Sequence, residues 1–129
     1  MANLNEALKK AEHLRSGDAA SDIDIKDAEN QLGLSFASEY KEYLKAYGVV
    51  SFSGHELIGI SKSPRLNVVN VTKEAREIYK HLSDGMYVVE DTGYEGILIL
   101  QDQKGTVYKI EPNSKPSKIY SSLTAYIKG

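Results

Sequence analysis

FASEYKEYLKAYG, Phe36 to Gly48, constrains the fold more than any other stretch of the chain. Phe36, Tyr40, Tyr43, Leu44 and Tyr47 recur at helical spacing, while Glu39, Lys41, Glu42 and Lys45 occupy the rest of the surface. The stripe predicts an amphipathic helix that lays an aromatic face on a core, with Gly48 placed to close it. Three of its apolar positions are tyrosines, so the buried face also carries hydroxyls that need partners at its edge. Immediately after Gly48 the period changes. Val49–Phe52 and Glu56–Ile60 read as two short strands around Ser53-Gly54-His55.

Two helices are expected before this one. Leu4, Ala7, Leu8, Ala11 and Leu14 form one apolar stripe, and Ser16-Gly17-Asp18 is expected to end it. SDIDIKDAENQLG reads as a short helix capped by Asp22 or Asp24 and stopped by Gly33. Beyond the strand pair, SKSPRLN reads as loop. A further helix is expected over roughly Thr72 to Leu82, capped by Thr72 or Asn70, with Ala75, Ile78, Tyr79 and Leu82 on one side.

The last third is β-rich. Met86–Val89, Ile97–Leu100 and Thr106–Ile110 are separated by the turn compositions EDTGYEG and QDQKG, which predicts an antiparallel meander. ILIL lacks alternation and reads as a central strand covered on both faces. EPNSKPSK reads as loop. SSLTAYIKG closes the chain as a short helix capped by Ser121 or Ser122. The expected class is α+β, with a single mostly antiparallel sheet and helices packed against it. At 129 residues, one domain over 1–129 is expected.

Composition narrows the function classes. With no cysteine, disulfides, zinc–thiolate sites and thiol catalysis are excluded. A formal net charge of −2 argues against a direct nucleic-acid partner, which needs a basic face. No apolar run approaches the ~20 residues of a membrane span, so no membrane partner is expected. The first residues lack the apolar core of a signal peptide, which makes the cytoplasm the expected location.

The densest chemistry lies in VVEDTGYEGILIL. Glu90, Asp91 and Glu95 are three carboxylates beside Gly93 and Gly96. Counted as a calcium loop from Asp91, Gly96 takes the glycine position and Asp102 the last ligand position. Gly93, however, falls where an oxygen ligand is needed, Asp102 is shorter than the usual glutamate, and the flanks read as strands. As a phosphate loop the stretch lacks the Lys-Ser/Thr and the following helix. As neighbours in a strand, Glu90 and Asp91 point to opposite faces, which removes them as a catalytic pair. His13, His55 and His81 show no metal-ligand spacing, and there is no GxSxG elbow. No enzyme, no catalytic residue, no metal and no cofactor is expected. Glu90, Asp91, Tyr94 and Glu95 are the candidate partner-binding residues: an exposed tyrosine among acids suits a protein interface.

IKDAENQLGLSFASEYKEYLKAYGVVSF resembles the N-terminal signature of the SUKH superfamily. That signature is an E-x-x-L-G helix followed by an aromatic-rich Y-x-x-[FY]-L helix that ends in a glycine turn. Glu29, Leu32, Gly33, Phe36, Tyr40, Tyr43, Leu44 and Gly48 occupy its places. YVVEDTGYEGILILQDQKGTVY is similar to the family's second signature through Asp91, Gly93, Gly96, Asp102, Gly105 and Tyr108. SSLTAYI resembles its terminal helix. Phe36-Ala37 departs from the family's frequent Leu-Pro. The resemblance covers residues 20 to 128 and implies an α+β fold. Many bacterial members are immunity proteins that bind and neutralise a cognate toxin, often a nuclease; others are regulatory scaffolds. It therefore implies a cognate toxin protein as partner. The alternative is a regulatory scaffold or small-ligand binding domain without a toxin.

Overall fold

A computed structural model describes residues 4–11 and 13–129. In chain order its elements are α1 (Leu4–Lys9), β1 (Arg15–Ser16), α2 (Asp22–Leu32), α3 (Ser38–Tyr47), β2 (Val50–Phe52), β3 (His55–Leu57), a 3-10 turn (Pro64–Leu66), α4 (Val68–Ile78), β4 (Met86–Asp91), β5 (Leu98–Asp102), β6 (Val107–Ile110), β7 (Ser117–Tyr120) and α5 (Leu123–Lys128). The class is α+β, as the periodicities predict. The strands form two antiparallel sheets and not one: β1-β2-β3 and β4-β5-β6-β7.

The division into two sheets has a local cause. After Leu57 the chain leaves its ladder. Ile58 N–H then donates to the Val89 carbonyl at 2.8 Å, and Gly59 forms an isolated parallel bridge with Asn67. In the β4–β5 ladder the register shifts between Val88 and Glu90. Val89 is thus the extra residue of a bulge, and its carbonyl is turned out of the ladder towards Ile58. Among the described residues one backbone hydrogen bond, at a bulge, joins the sheets where a continuous ladder was expected.

The helix expectations hold best where caps are local. α2 and Gly33 fall where predicted, with Gly33 left-handed at φ 68°. Its N-cap, however, is Ser21, whose hydroxyl accepts from Asp24 N–H while Asp24 accepts from Ser21 N–H. Asp24 completes a capping box; it is not the cap. α1 stops at Lys9 rather than running to Leu14. Arg15–Ser16 instead pair with Val50 and Ser51, and Gly17 N–H donates to the Val49 carbonyl at 2.8 Å. Gly17 therefore belongs to a strand contact. A Cβ there would lie 2.7 Å from Val49 Cγ2.

α4 begins four residues before the expected start. Asn67 caps it, accepting from Val69 and Asn70 N–H, so neither Thr72 nor Asn70 is the cap. Val68, Val69, Thr72 and Ala75 form its buried face, and Thr72 Oγ1 accepts from Val88 N–H at 3.1 Å. Its β-branched start hid it from propensity, and tertiary burial overrides that weak preference. Ile78, expected on the buried side, is exposed. β7, read as part of a loop, pairs with β6. ILIL, expected as a central strand covered on both faces, supplies Leu98–Leu100 to β5, all three buried and flanked by β4 and β6, while Ile97 stays outside the strand.

The core gathers around α3. Phe36, Tyr40 and Tyr87 pack mutually with centroids 4.8–5.1 Å apart, Phe36 edge-on to both tyrosines and the tyrosines tilted to each other. Every buried hydroxyl here has a partner. Tyr40 donates to the Ile58 carbonyl at 2.7 Å and Tyr43 to the Leu57 carbonyl at 2.9 Å. Tyr87 accepts from Ala37 N–H and donates to Gln101 Oε1 at 2.8 Å. Gln101 in turn donates to Glu39 Oε2 at 2.6 Å and to the Gly105 carbonyl. Glu39 also accepts from Leu123 N–H, Thr124 N–H and the Thr124 hydroxyl, so one carboxylate holds the start of α5.

Two outcomes follow from this packing. Glu39→Ala leaves several donors without an acceptor and should cost about 2–3 kcal/mol. In hydrogen exchange, amides of α5 should lose protection before those of β5; equal loss in both would refute the anchoring role. Alkaline pH acts through the tyrosines. Burial, first among the causes, pushes the Tyr40, Tyr43 and Tyr87 phenols above their ordinary value. Groups raised on folding stabilise fully below the unfolded value of about 10, and that contribution is lost as pH rises beyond it. Of the nine tyrosines, these three should ionise only together with unfolding. Phenolate absorbance rising for all nine while the circular dichroism stays native would contradict it.

Candidate functional site

EDTGYEG is a fixed turn at the end of the β4–β5 hairpin. Asp91 Oδ1 accepts from Gly93 N–H at 2.9 Å, which folds the backbone back on the aspartate. The Thr92 hydroxyl accepts from Tyr94 N–H and donates to the Ile97 carbonyl at 2.8 Å. Gly93, Glu95 and Gly96 all have positive φ, at 69°, 51° and 73°. Glu95 is the non-glycine residue in the left-handed region here, held by the closed geometry on either side. From behind, the Tyr79 hydroxyl donates to the Gly96 carbonyl at 2.6 Å.

The four sequence-predicted residues do not share one environment. Asp91, Tyr94 and Glu95 are exposed, Tyr94 by 65%. Neither Asp91 nor Glu95 takes part in an ion pair among the described residues. Glu90 must be set apart from them, because it is only 4% exposed. Its carboxylate accepts from Glu56 N–H at 3.0 Å and from the Tyr126 hydroxyl, and both of its oxygens lie 3.1–3.2 Å from His55 Nδ1. Strand alternation predicted that Glu90 and Asp91 part company, and the bulge completes it by burying Val88, Val89 and Glu90 in succession.

The Glu90 cluster was not legible from spacing. Its members come from β3, β4 and α5, and His55 read as a turn residue. In the structure His55 belongs to β3, half-buried, with its ring stacked on Phe52 at 5.3 Å. Burial, then the hydrogen bond to Glu90, pushes the Tyr126 phenol well above its ordinary range. The cluster fastens α5 to the junction of the two sheets. A chain signal existed only in the oddity of a glutamate following three apolar strand residues.

The calcium-loop count also fails geometrically. Asp91 pairs with Leu98, whereas Asp102 pairs with Met86 at the other end of the ladder. Four steps along β5 separate the two pairings, roughly 13 Å. Asp102 is moreover engaged: it accepts from Lys104 N–H, Thr106 N–H and the Tyr108 hydroxyl. Among the described residues no group of three or more His, Asp or Glu is placed to hold a metal ion, and no helix is long and apolar enough to cross a membrane.

Beside the turn lies a polar cleft of about 320 Å³, lined by Glu56, Arg65, Asp91 and Gly93 among others. Arg65 grips Glu56 with two hydrogen bonds of 2.8 and 3.1 Å and holds its carboxyl below the ordinary range. An already paired arginine and glutamate form one wall, and the unpaired Asp91 forms the other. The arrangement sets an exposed carboxylate opposite a charge pair across the cleft.

Burial separates the two kinds of acid by stability. Glu90→Ala leaves three donors facing a void and should cost about 3 kcal/mol, whereas Asp91→Ala and Glu95→Ala should each stay within about 1 kcal/mol. Urea midpoints measure both. Equal effects at Glu90 and Glu95 would show that the buried cluster does not bear on stability.

A family model, SUKH_5, described as SMI1-KNR4 cell-wall, matches residues 1–129. The chain is also 32% identical over 74 residues to the uncharacterized protein YnaB of Bacillus subtilis (strain 168), a stretch covering 57% of this chain and 51% of that protein. The match thus spans about half the length of that relative. The expected succession of helices, strands and acidic turn agrees with the full-length family match: the chain belongs to the SUKH family described as SMI1-KNR4 cell-wall.

Proposed function

We propose that the protein is an immunity protein, which binds a cognate toxin in the cytoplasm and neutralises it by protein–protein contact, without catalysis of its own. Family membership supports this reading, since many relatives elsewhere in the superfamily have that role. The observation that carries it is the shape of the acidic turn. Tyr94 stands exposed between the unpaired Asp91 and Glu95 on a backbone already fixed by Asp91, Thr92 and Tyr79. A preformed aromatic contact loses little conformational freedom on binding, and tyrosine is a favoured anchor at interfaces. Flanking carboxylates suit a toxin whose active site is basic, as a nuclease groove is, and they speed encounter with it. Glu90 is buried in the seam, which leaves Asp91, Tyr94 and Glu95 as the groups within a partner's reach.

The test is a charge reversal. Asp91→Lys combined with Glu95→Lys should weaken binding to the cognate toxic domain by about tenfold or more at low salt, with less effect at high salt. Unchanged affinity at low salt removes the turn from the interface. Failure of the wild-type protein to relieve that domain's toxicity on co-expression overturns the immunity reading itself.

A further inference from the structure

On the other side of His55 from the acidic turn lies a second cleft, of about 330 Å³, between α1, the β2–β3 hairpin and α5. Its size falls at the lower end of small-molecule sites, roughly 300–1,000 Å³. Ala11, Phe52 and Ile127 give it an apolar floor, while Lys10 and Lys128 stand at its rim. Both lysines are exposed, and among the described residues neither is in an ion pair. They come from opposite ends of the chain, one just after α1 and one at the last position of α5, and the fold brings them to the same opening.

The wall of this cleft is prebuilt. His55 is fixed from behind by the buried Glu90 carboxylate, on one face by Phe52, and at its edge by Tyr126, whose ring centroid lies 5.9 Å away. Because Nδ1 is held by Glu90, Nε2 is the free ring nitrogen, and it has no partner among the described residues. Tyr126 ties α5 to the same carboxylate, which keeps Ile127 and Lys128 in place across the opening. An apolar trough, a fixed ring and two ammonium groups that make no ion pair among the described residues form, at one mouth, a combination that neither the core packing nor the acidic turn requires.

We propose that this cleft binds a small carboxylate with an apolar tail, of the medium-chain fatty-acid type. The tail lies along Ala11, Phe52 and Ile127, and the carboxylate meets Lys10 and Lys128. The ammonium groups select the charge, since each is a point cation on a flexible stem that can close on an anion. The apolar floor supplies the affinity. The site is separate from the toxin-binding turn, and either can hold without the other.

Sodium octanoate, octylamine and 1-octanol share a chain length and differ in head group, which makes them the probes. Titrated into the full-length protein and followed by amide chemical shifts, octanoate should give saturable shifts at Ala11, Phe52 and Ile127, with a dissociation constant on the order of a millimolar. Octanol should bind about fivefold more weakly, and octylamine more weakly still. Lys10→Glu combined with Lys128→Glu, both on the surface and compatible with folding, should weaken octanoate by more than about tenfold. The same charge change at Lys73 and Lys80, which do not line the cleft, should leave it unaltered. No saturable shift at the three amides, equal binding of octanoate and octylamine, or equal loss in the two double variants would each overturn the proposal.

Discussion

A helix face built from tyrosines must bury hydroxyls as well as rings, and a buried hydroxyl without a partner is costly. Much of this fold can be traced to how α3 meets that demand. Tyr40 and Tyr43 donate to the carbonyls of Ile58 and Leu57, where β3 ends. Those bonds hold the chain at the point where it leaves its ladder. Ile58 N–H is then presented to Val89, and the bulge in β4 supplies the carbonyl that receives it. The bulge in turn places Glu90 inward, where it collects His55, Glu56 N–H and Tyr126. The junction of the two sheets therefore rests on the phenols of a helix that precedes β3 and β4, the strands that meet there.

The same helix reaches the C-terminus through its polar side. Glu39 looked like a solvated residue between aromatic positions. In the fold it is half-buried and accepts from both the start of α5 and Gln101 in β5. Tyr87 extends the network to Ala37, at the start of α3. A charged acceptor makes stronger hydrogen bonds than a neutral one, and here it serves donors some 62 to 85 residues away in sequence. α5, only six residues long, is too short to be stable alone; Glu39 at one end and Glu90 towards the other supply its polar anchors.

What could be read in advance follows the range of the interaction. α2, α3 and the meander of β4, β5 and β6 are written in local period, glycine stops and turn residues, and they were found close to their bounds. The true start of α4 depends on the Asn67 side chain and on burial of β-branched residues, which outweigh local preference. β7 is polar, follows Pro116, and becomes a strand only because β6 offers it an edge. The division into two sheets depends on a bulge, a non-local feature with no signature in EDTGYEG or its flanks. In the candidate site, the turn and its three acids were visible in the sequence. The partners of Glu90 were not, because they lie 34 to 36 residues away on either side.

Glu90 and Asp91 show how far one strand position can separate two like groups. Both are carboxylates and both follow the same apolar run, yet one is sealed beneath His55 and Tyr126 and the other faces water. The separation has a consequence for how the turn works. A loop that offers Tyr94 to a partner keeps its shape only if its base does not move, and its base is β4. Val89 bonds to Ile58, Glu90 bonds to β3 and α5, and Tyr79 holds the far side at Gly96. The buried acid is out of reach from the surface, but it holds the strand from which the exposed acids project. Display of exposed acids and packing at the seam are thus two uses of one hairpin, divided between adjacent residues by a single bulge.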